Sequence, residues 1–132
     1  MENKFKSDPA IVHSCKYHVT WCSKYRRKVL IEGVDKRLKE ILKEICDQFE
    51  AKLTEVEVLP DHVHILVEVD PKFGIVKLVR YLKGRSSRRL RDEFPWLRSR
   101  LPTLWTKSYF VATVGVAPLS EIEQYIESQK NV

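Results

Sequence analysis

Four residues carry the chemistry that this chain's spacing suggests: His62 and His64, one residue apart, and Tyr125 and Gln129, four apart near the C-terminus. The histidines lie in Glu55–Val69, a run that reads as two β-strands broken at Leu59-Pro60-Asp61. Side chains alternate faces along a strand, so the two imidazoles point one way and Val63 the other. That is half of a metal site. Two neutral imidazoles leave most of a divalent ion's coordination sphere open, so a third protein ligand is needed, with phosphate oxygens and water filling the rest. Gln129 is the candidate, because a neutral amide oxygen suits Mg²⁺ or Mn²⁺ better than Zn²⁺. Residues four apart share a helix face, which puts the Tyr125 phenol beside that amide. A phenol with a pKa of about 10 is a poor nucleophile unless a metal or base assists it. Together the four residues suggest metal-assisted attack of tyrosine on a phosphate. Attack on a phosphodiester that keeps the 5′ phosphate and releases the 3′-OH stores the bond energy, so strands can be rejoined without ATP. The plainer alternatives are two core or surface histidines and an amphipathic helix that packs Ile122, Tyr125 and Ile126 on a sheet.

These residues need elements to position them. Residues 1–10 read as a loose arm, and Ile11 to Cys22 as a strand rich in β-branched and aromatic side chains. His13 and His18 are odd-spaced on that strand, face opposite sides, and read as core or surface residues. A basic loop, Lys24-Tyr25-Arg26-Arg27-Lys28, follows. Asp35 to Ala51 has Leu38, Ile41, Leu42, Ile45 and Phe49 at helical spacing. A second helix is expected from about Gly74 to Asp92, then an irregular stretch bracketed by Pro95 and Pro102, then a strand from Tyr109 to Val116. A last helix opens at Ser120, with Glu123 three residues on in the pattern of a capping box. Gly115 and Pro118 before it suggest a hinge. The order predicts an α+β, ferredoxin-like βαββαβ sandwich with an antiparallel sheet, helices on one face, and an added C-terminal helix carrying the tyrosine. The 132 residues form one domain, large enough for a hydrophobic core.

The 24 Lys and Arg against 18 Asp and Glu give a net charge of +6, and their placement says more than their sum. Lys77, Arg80, Lys83, Arg85, Arg88, Arg89 and Arg91 follow one another with no acid before Asp92. A solvated helix normally mixes signs, so this bias points to a polyanion. Ser86 and Ser87 are expected to add phosphate contacts, and Tyr25, Arg26 and Arg27 to extend the surface. Cys15, Cys22 and Cys46 form no CxxC pair and read as free thiols of a reducing cytoplasm. No apolar stretch approaches the ~18 residues of a membrane span, and the polar N-terminus has no signal-peptide core.

In this order, the Tyr17-His18-Val19-Thr20-Trp21 strand, the basic loop, Leu59-Pro60-Asp61-His62-Val63-His64, Leu82-Lys83-Gly84-Arg85-Ser86-Ser87, Glu93-Phe94-Pro95, Leu104-Trp105, Ser108 to Gly115, and Tyr125-Ile126-Glu127-Ser128-Gln129 resemble the single-tyrosine HUH transposases of bacterial and archaeal insertion sequences. The likeness runs almost end to end. It implies a small homodimer that recognises DNA hairpins at its element's ends and cuts and rejoins single-stranded DNA through a 5′-phosphotyrosine. By the same resemblance His62, His64 and Gln129 would hold Mg²⁺ or Mn²⁺, and Tyr125, on a catalytic helix within 119–132, would be the nucleophile. The DNA-contacting set would be Arg26, Arg27, Lys83, Arg85, Ser87, Arg88 and Arg89, and active sites would draw on both subunits. The alternatives are a domesticated or otherwise non-catalytic nucleic-acid binder, and a hydrolytic metal nuclease in which Tyr125 is structural. The chain ends three residues after Gln129, which leaves open how its last helix is anchored.

Overall fold

A computed structural model describes residues 15–115 and 119–132. The expected arm, His13, the start of the first strand, Val116 at the end of the expected fourth strand, and Pro118 of the suggested hinge lie outside them. Four strands form one antiparallel sheet in the order β2-β3-β1-β4: β1 (Cys15–Cys22), β2 (Lys52–Leu59), β3 (His62–Val69) and β4 (Phe110–Thr113). Helices α1 (Val34–Gln48) and α2 (Ile75–Glu93) join them, with α3 (Trp96–Arg100) before β4 and α4 (Leu119–Ser128) after it. This is the α+β, ferredoxin-like arrangement that the element order predicts, with its added C-terminal helix.

Alternation sorts β3 cleanly. Val63, Ile65, Val67 and Val69 are fully buried and join Val19 and Trp21 of β1 in the core. Against that face pack Leu38, Ile41, Leu42 and Ile45 of α1 and Leu78, Val79, Leu82 and Leu90 of α2. Burial of about ten such side chains, at roughly 1.5–3 kcal/mol each, is the main favourable term that fixes which sheet face looks inward. His62 and His64 are thereby turned to the opposite face.

Some boundaries differ from the sequence expectation. Helix α1 stops at Gln48 because Glu50 takes a left-handed φ of 59°, which ends a helix whose stripe had suggested Ala51. The irregular stretch after Pro95 contains α3, whose first turn Pro95 pre-sets with φ −58°. The last strand is shorter than expected: it ends at Thr113, although the Val114 N–H still donates to the Lys16 carbonyl. Ser120 lies inside α4, which begins at Leu119, and so it does not stand at the cap. Among the described residues no helix is long and apolar enough to cross a membrane. Cys22 and Cys46 are buried free thiols and Cys15 is partly exposed. Burial pushes Cys22 up to about 11 and Cys46 up to about 12, which keeps both protonated and inert.

Candidate active site

The strand register sets the first half of the site. Cys22 stands opposite His62 and Thr20 opposite His64, while His18 is one step further along the same face of β1. The Thr20 hydroxyl lies 2.9 Å from His64 Nδ1, and His18 Nδ1 lies 3.3 Å from His64 Nε2 with the two rings stacked. His62 is held differently. Its Nδ1 is 2.8 Å from Asp61 Oδ1, and the other oxygen of that carboxyl accepts from Arg26 Nε at 2.9 Å. Each ring is thus gripped at Nδ1 by an oxygen, the arrangement that orients imidazole ligands, while Nε2 of His64 is met by His18.

Asp61 stabilises this arrangement electrostatically. Burial alone would raise its carboxyl, but the bonds from His62 and Arg26 outweigh that and hold it below the usual carboxylate range. His64 is shifted down, first by burial and then by the neighbouring His18, so it stays neutral and able to donate a lone pair. Arg26 is aimed by a strained turn: Tyr25 and Arg26 take φ of 58° and 54°, a conformation that costs side-chain-bearing residues of order 1–3 kcal/mol. The turn is held from both sides, because the Arg26 N–H bonds to the Ser23 carbonyl and the Tyr25 N–H to the carbonyl of Val132.

That second bond answers how the last helix is anchored. The chain end is tied to the basic loop through Val132, and Arg26 Nη1 also donates to the Ile126 carbonyl at 3.2 Å. Helix α4 lies over the histidine face, and Leu119, Ile122, Glu123 and Ile126 line a groove of about 450 Å³ with His18, Glu57, Leu59, His62 and His64. No residue of α4 is fully buried. Tyr125 and Gln129 are turned instead to Ser108. The Ser108 hydroxyl donates to Gln129 Oε1 at 2.9 Å, so the Tyr125 hydroxyl, also 2.9 Å away, donates to Ser108 Oγ. The Tyr125 ring rests 6.0 Å from that of Phe110. Burial raises the phenol above its ordinary value, and Ser108, which can turn its proton toward a phenolate, offsets part of that.

The sequence-predicted residues therefore fall into two groups: His62 and His64 side by side in the groove, and Tyr125 with Gln129 on Ser108. His18, Thr20, Asp61 and Ser108 are the residues that sequence reasoning did not assign. Asp61 had a signal, since it directly precedes His62 after Pro60. His18 and Thr20 share one strand parity, but only the register shows that this face meets His64.

The donor set fits a divalent cation in part. The imidazoles share a face, have their Nδ1 atoms engaged, and are held neutral in the case of His64; Gln129 Oε1 accepts from Ser108. Among the described residues no group of three or more His, Cys, Asp or Glu is clustered for a metal, so a third ligand must be of another type, as an amide is.

The expected DNA-contacting residues are dispersed. Arg27 and Arg88 are exposed, and Ser87 is half-exposed. Arg85 stacks 4.6 Å from the Tyr81 ring and 4.9 Å from Phe49 and donates to Gln48, while Arg89 pairs with Glu44 at 2.9 Å. With Glu44, Ile45 and Gln48, the arginines Arg85, Arg88 and Arg89 line a groove of about 550 Å³ between α1 and α2. Ser86 is buried and accepts from Trp105 Nε1, so it faces inward and not toward a phosphate. The Lys83 ammonium is turned to the backbone of residues 106–108.

Residues 11–129 match the model of the IS200-like transposases. The ISDra2 transposase TnpA of Deinococcus radiodurans is 39% identical over 128 residues, which cover 96% of this chain and 91% of that protein. The transposase for insertion sequence element IS200 of Salmonella typhimurium is 33% identical, covering 88% of this chain and 77% of its own length. The crystal structure of a candidate transposase from Deinococcus radiodurans R1 superposes with a TM-score of 0.87 at 39% identity, covering 95% of this chain and 98% of the other. A REP-associated tyrosine transposase solved with a REP hairpin has the same fold at a TM-score of 0.57 and 12% identity, covering 86% of this chain and 62% of that one.

Proposed function

This chain belongs to the IS200-like transposase family, and on that premise we propose that it cuts and rejoins single-stranded DNA with Tyr125 as the nucleophile. The observation that supports this most is the pairing of Tyr125 and Gln129 on Ser108, at the edge of a helix that roofs two Nδ1-anchored imidazoles. A half-buried tyrosine that served packing alone would not need its hydroxyl linked through Ser108 to a candidate ligand amide.

In the reaction the Tyr125 oxygen attacks the scissile phosphorus, a new P–O bond forms to the phenol, and the bond to the 3′ oxygen breaks. The phenol proton is released to solvent, Ser108 turns its own proton toward the phenolate as it forms, and the departing 3′ oxygen takes up a proton from solvent. Rejoining reverses these steps, so neither water nor ATP is consumed. Bound at His62, His64 and Gln129, Mg²⁺ or Mn²⁺ would supply Lewis-acid polarisation of the phosphate. Asp61 and Thr20 orient the rings for that task. Helix α4, which carries Tyr125 and Gln129 on Ser108, would complete a site with the histidine pair of its own chain or of a partner in a homodimer.

The substrate in this reading is single-stranded DNA with hairpin ends, acted on in the cytoplasm. Arg27, Arg88 and Ser87 are free to meet phosphate, with Arg85 and Arg89 at the rim of the α1–α2 groove and Arg26 nearer the histidines. The test uses labelled single strands from both flanks of the gene, incubated with Mg²⁺ or Mn²⁺ and run on a denaturing gel. A slow, protease-sensitive band with wild type, absent with Tyr125→Phe and absent without metal, is the expected result. Hairpin binding with no adduct on any strand would favour a non-catalytic DNA-binding relative, and free 5′-phosphate without adduct would favour a hydrolytic nuclease.

A further inference from the structure

Lys83 was expected at a DNA surface, yet its side chain runs the other way. Nζ donates to three consecutive carbonyls, Thr106 at 2.7 Å, Lys107 at 3.1 Å and Ser108 at 2.8 Å. An ammonium has three protons, and here all three are engaged. The Tyr109 ring lies 5.6 Å from the same nitrogen. Among the described residues the backbone of this segment is also tied by the Thr106 N–H, which bonds to the Cys22 carbonyl, and the Ser23–Trp105 bridge precedes it. Its last residue is Ser108, the residue on which Tyr125 and Gln129 meet.

We propose that Lys83 is a positioning residue for the nucleophile: by drawing the carbonyls of residues 106–108 onto one cation it fixes the Ser108 hydroxyl that presents Tyr125 and Gln129 as a unit. This inference rests on the tyrosine reading above. Without the cation, three carbonyls converge with no donor between them, and the segment must turn them to water, carrying Ser108 away. The phenol and amide then sample rotamers independently, and misplacement of a reacting group by about an ångström costs up to 10²-fold in rate.

Charge is central to this role, so its environment matters. Burial pulls Lys83 down to about 8, opposed by the Cys22 thiol of β1. The groups that face it are Cys22, Tyr109 and the carbonyls of residues 106–108, with Asp61 and Arg26 beyond Cys22.

The experiment measures single-turnover adduct formation from pH 7 to 9 at saturating DNA, with hairpin affinity measured alongside. Wild type is expected to slow as pH passes about 8. Lys83→Met should be at least about tenfold slower at pH 7 and lack that alkaline limb, with hairpin affinity unchanged. Ser108→Ala should show the same two defects, and adding Lys83→Met to it should cost nothing further, because both act through one hydroxyl. If Lys83→Met fails to fold, Ser108→Ala carries the test, and an alkaline limb retained in it overturns the proposal. Multiplicative losses in the double variant, or lost hairpin affinity in Lys83→Met with a shallower salt dependence, would also overturn it, the latter in favour of a phosphate contact. Absence of adduct from wild type at every pH would instead remove the tyrosine reading, and this inference with it.

Discussion

Removal of the Asp61 carboxyl tests whether the histidine pair is built to hold a metal. Asp61 accepts from His62 Nδ1 at 2.8 Å and from Arg26 Nε at 2.9 Å, with its side chain 13% exposed. Asp61→Ala leaves both donors unpaired. Hydrogen bonds to charged groups contribute ~1.5–3 kcal/mol, and Arg26 can still reach water and the Ile126 carbonyl, so the expected net loss of fold stability is about 2–3 kcal/mol. The larger effect is on the metal, because His62 loses the partner that sets its tautomer and plane. Such outer partners are worth roughly 10–100-fold in metal affinity. Asp61→Asn keeps an acceptor for His62 but turns an N–H₂ toward Arg26, so it should fall between wild type and Asp61→Ala on both measures. Calorimetric titration with Mn²⁺ and urea unfolding of the three proteins give the two numbers. The sign with pH follows from the lowered carboxyl pKa. The stability from Asp61 is present above about pH 3.9, the unfolded value, and is lost as pH falls through the folded one, so Asp61→Ala should lose less stability below pH 4 than wild type does. Mn²⁺ affinity within twofold of wild type in a folded Asp61→Ala would refute the reasoning that this carboxylate organises a metal ligand.

Three further outcomes are expected. Tyr125→Phe removes one partly exposed hydrogen bond to Ser108 and should cost no more than about 1 kcal/mol in urea unfolding, so a loss above 3 kcal/mol would mean that the hydroxyl is chiefly structural. Arg88→Ala should weaken hairpin binding and reduce the salt slope by about 1, while Arg89→Ala, whose guanidinium is paired with Glu44, should change it less; the reverse order would move the DNA surface away from Arg88. His64 has a lowered pKa, so folding favours its neutral form: stability is full above about pH 6.5 and declines as pH falls below it, and His64→Gln should flatten the metal-free stability profile between pH 6.5 and 5. An unchanged slope in that variant would show that His64 is not the group that burial penalises.

Much of the fold was legible because hydrophobic period and burial agree. The stripe of Leu38, Ile41, Leu42 and Ile45 and the alternation of Val63, Ile65 and Val67 each specify an element and its inward face without reference to neighbours. Element ends were less legible, since they depend on local events such as the left-handed Glu50 and on the short pairing of β4 with β1. The direction of each cation was less legible. Lys83 sits in a cationic run, but a long side chain can bury its stem and turn its head to the backbone, and nothing in the run distinguishes Arg88, which is exposed, from Lys83, whose ammonium is held by the carbonyls of residues 106–108.

The candidate site divides in the same way. That His62 and His64 share a face, and that Tyr125 and Gln129 share another, is a property of strand and helix periods and was determined by sequence alone. Which groups meet those faces depends on pairings between distant segments. Only the register of β1 against β3 sets Thr20 and His18 on His64, only the strained turn at Tyr25 and Arg26 brings a guanidinium to Asp61, and only the path from Trp105 to β4 puts Ser108 under the tyrosine. These contacts join residues from 17 to 46 positions apart. They are not encoded in any local period; they exist because a single packed core fixes the strands' order and register, and the site residues are carried to their places by it.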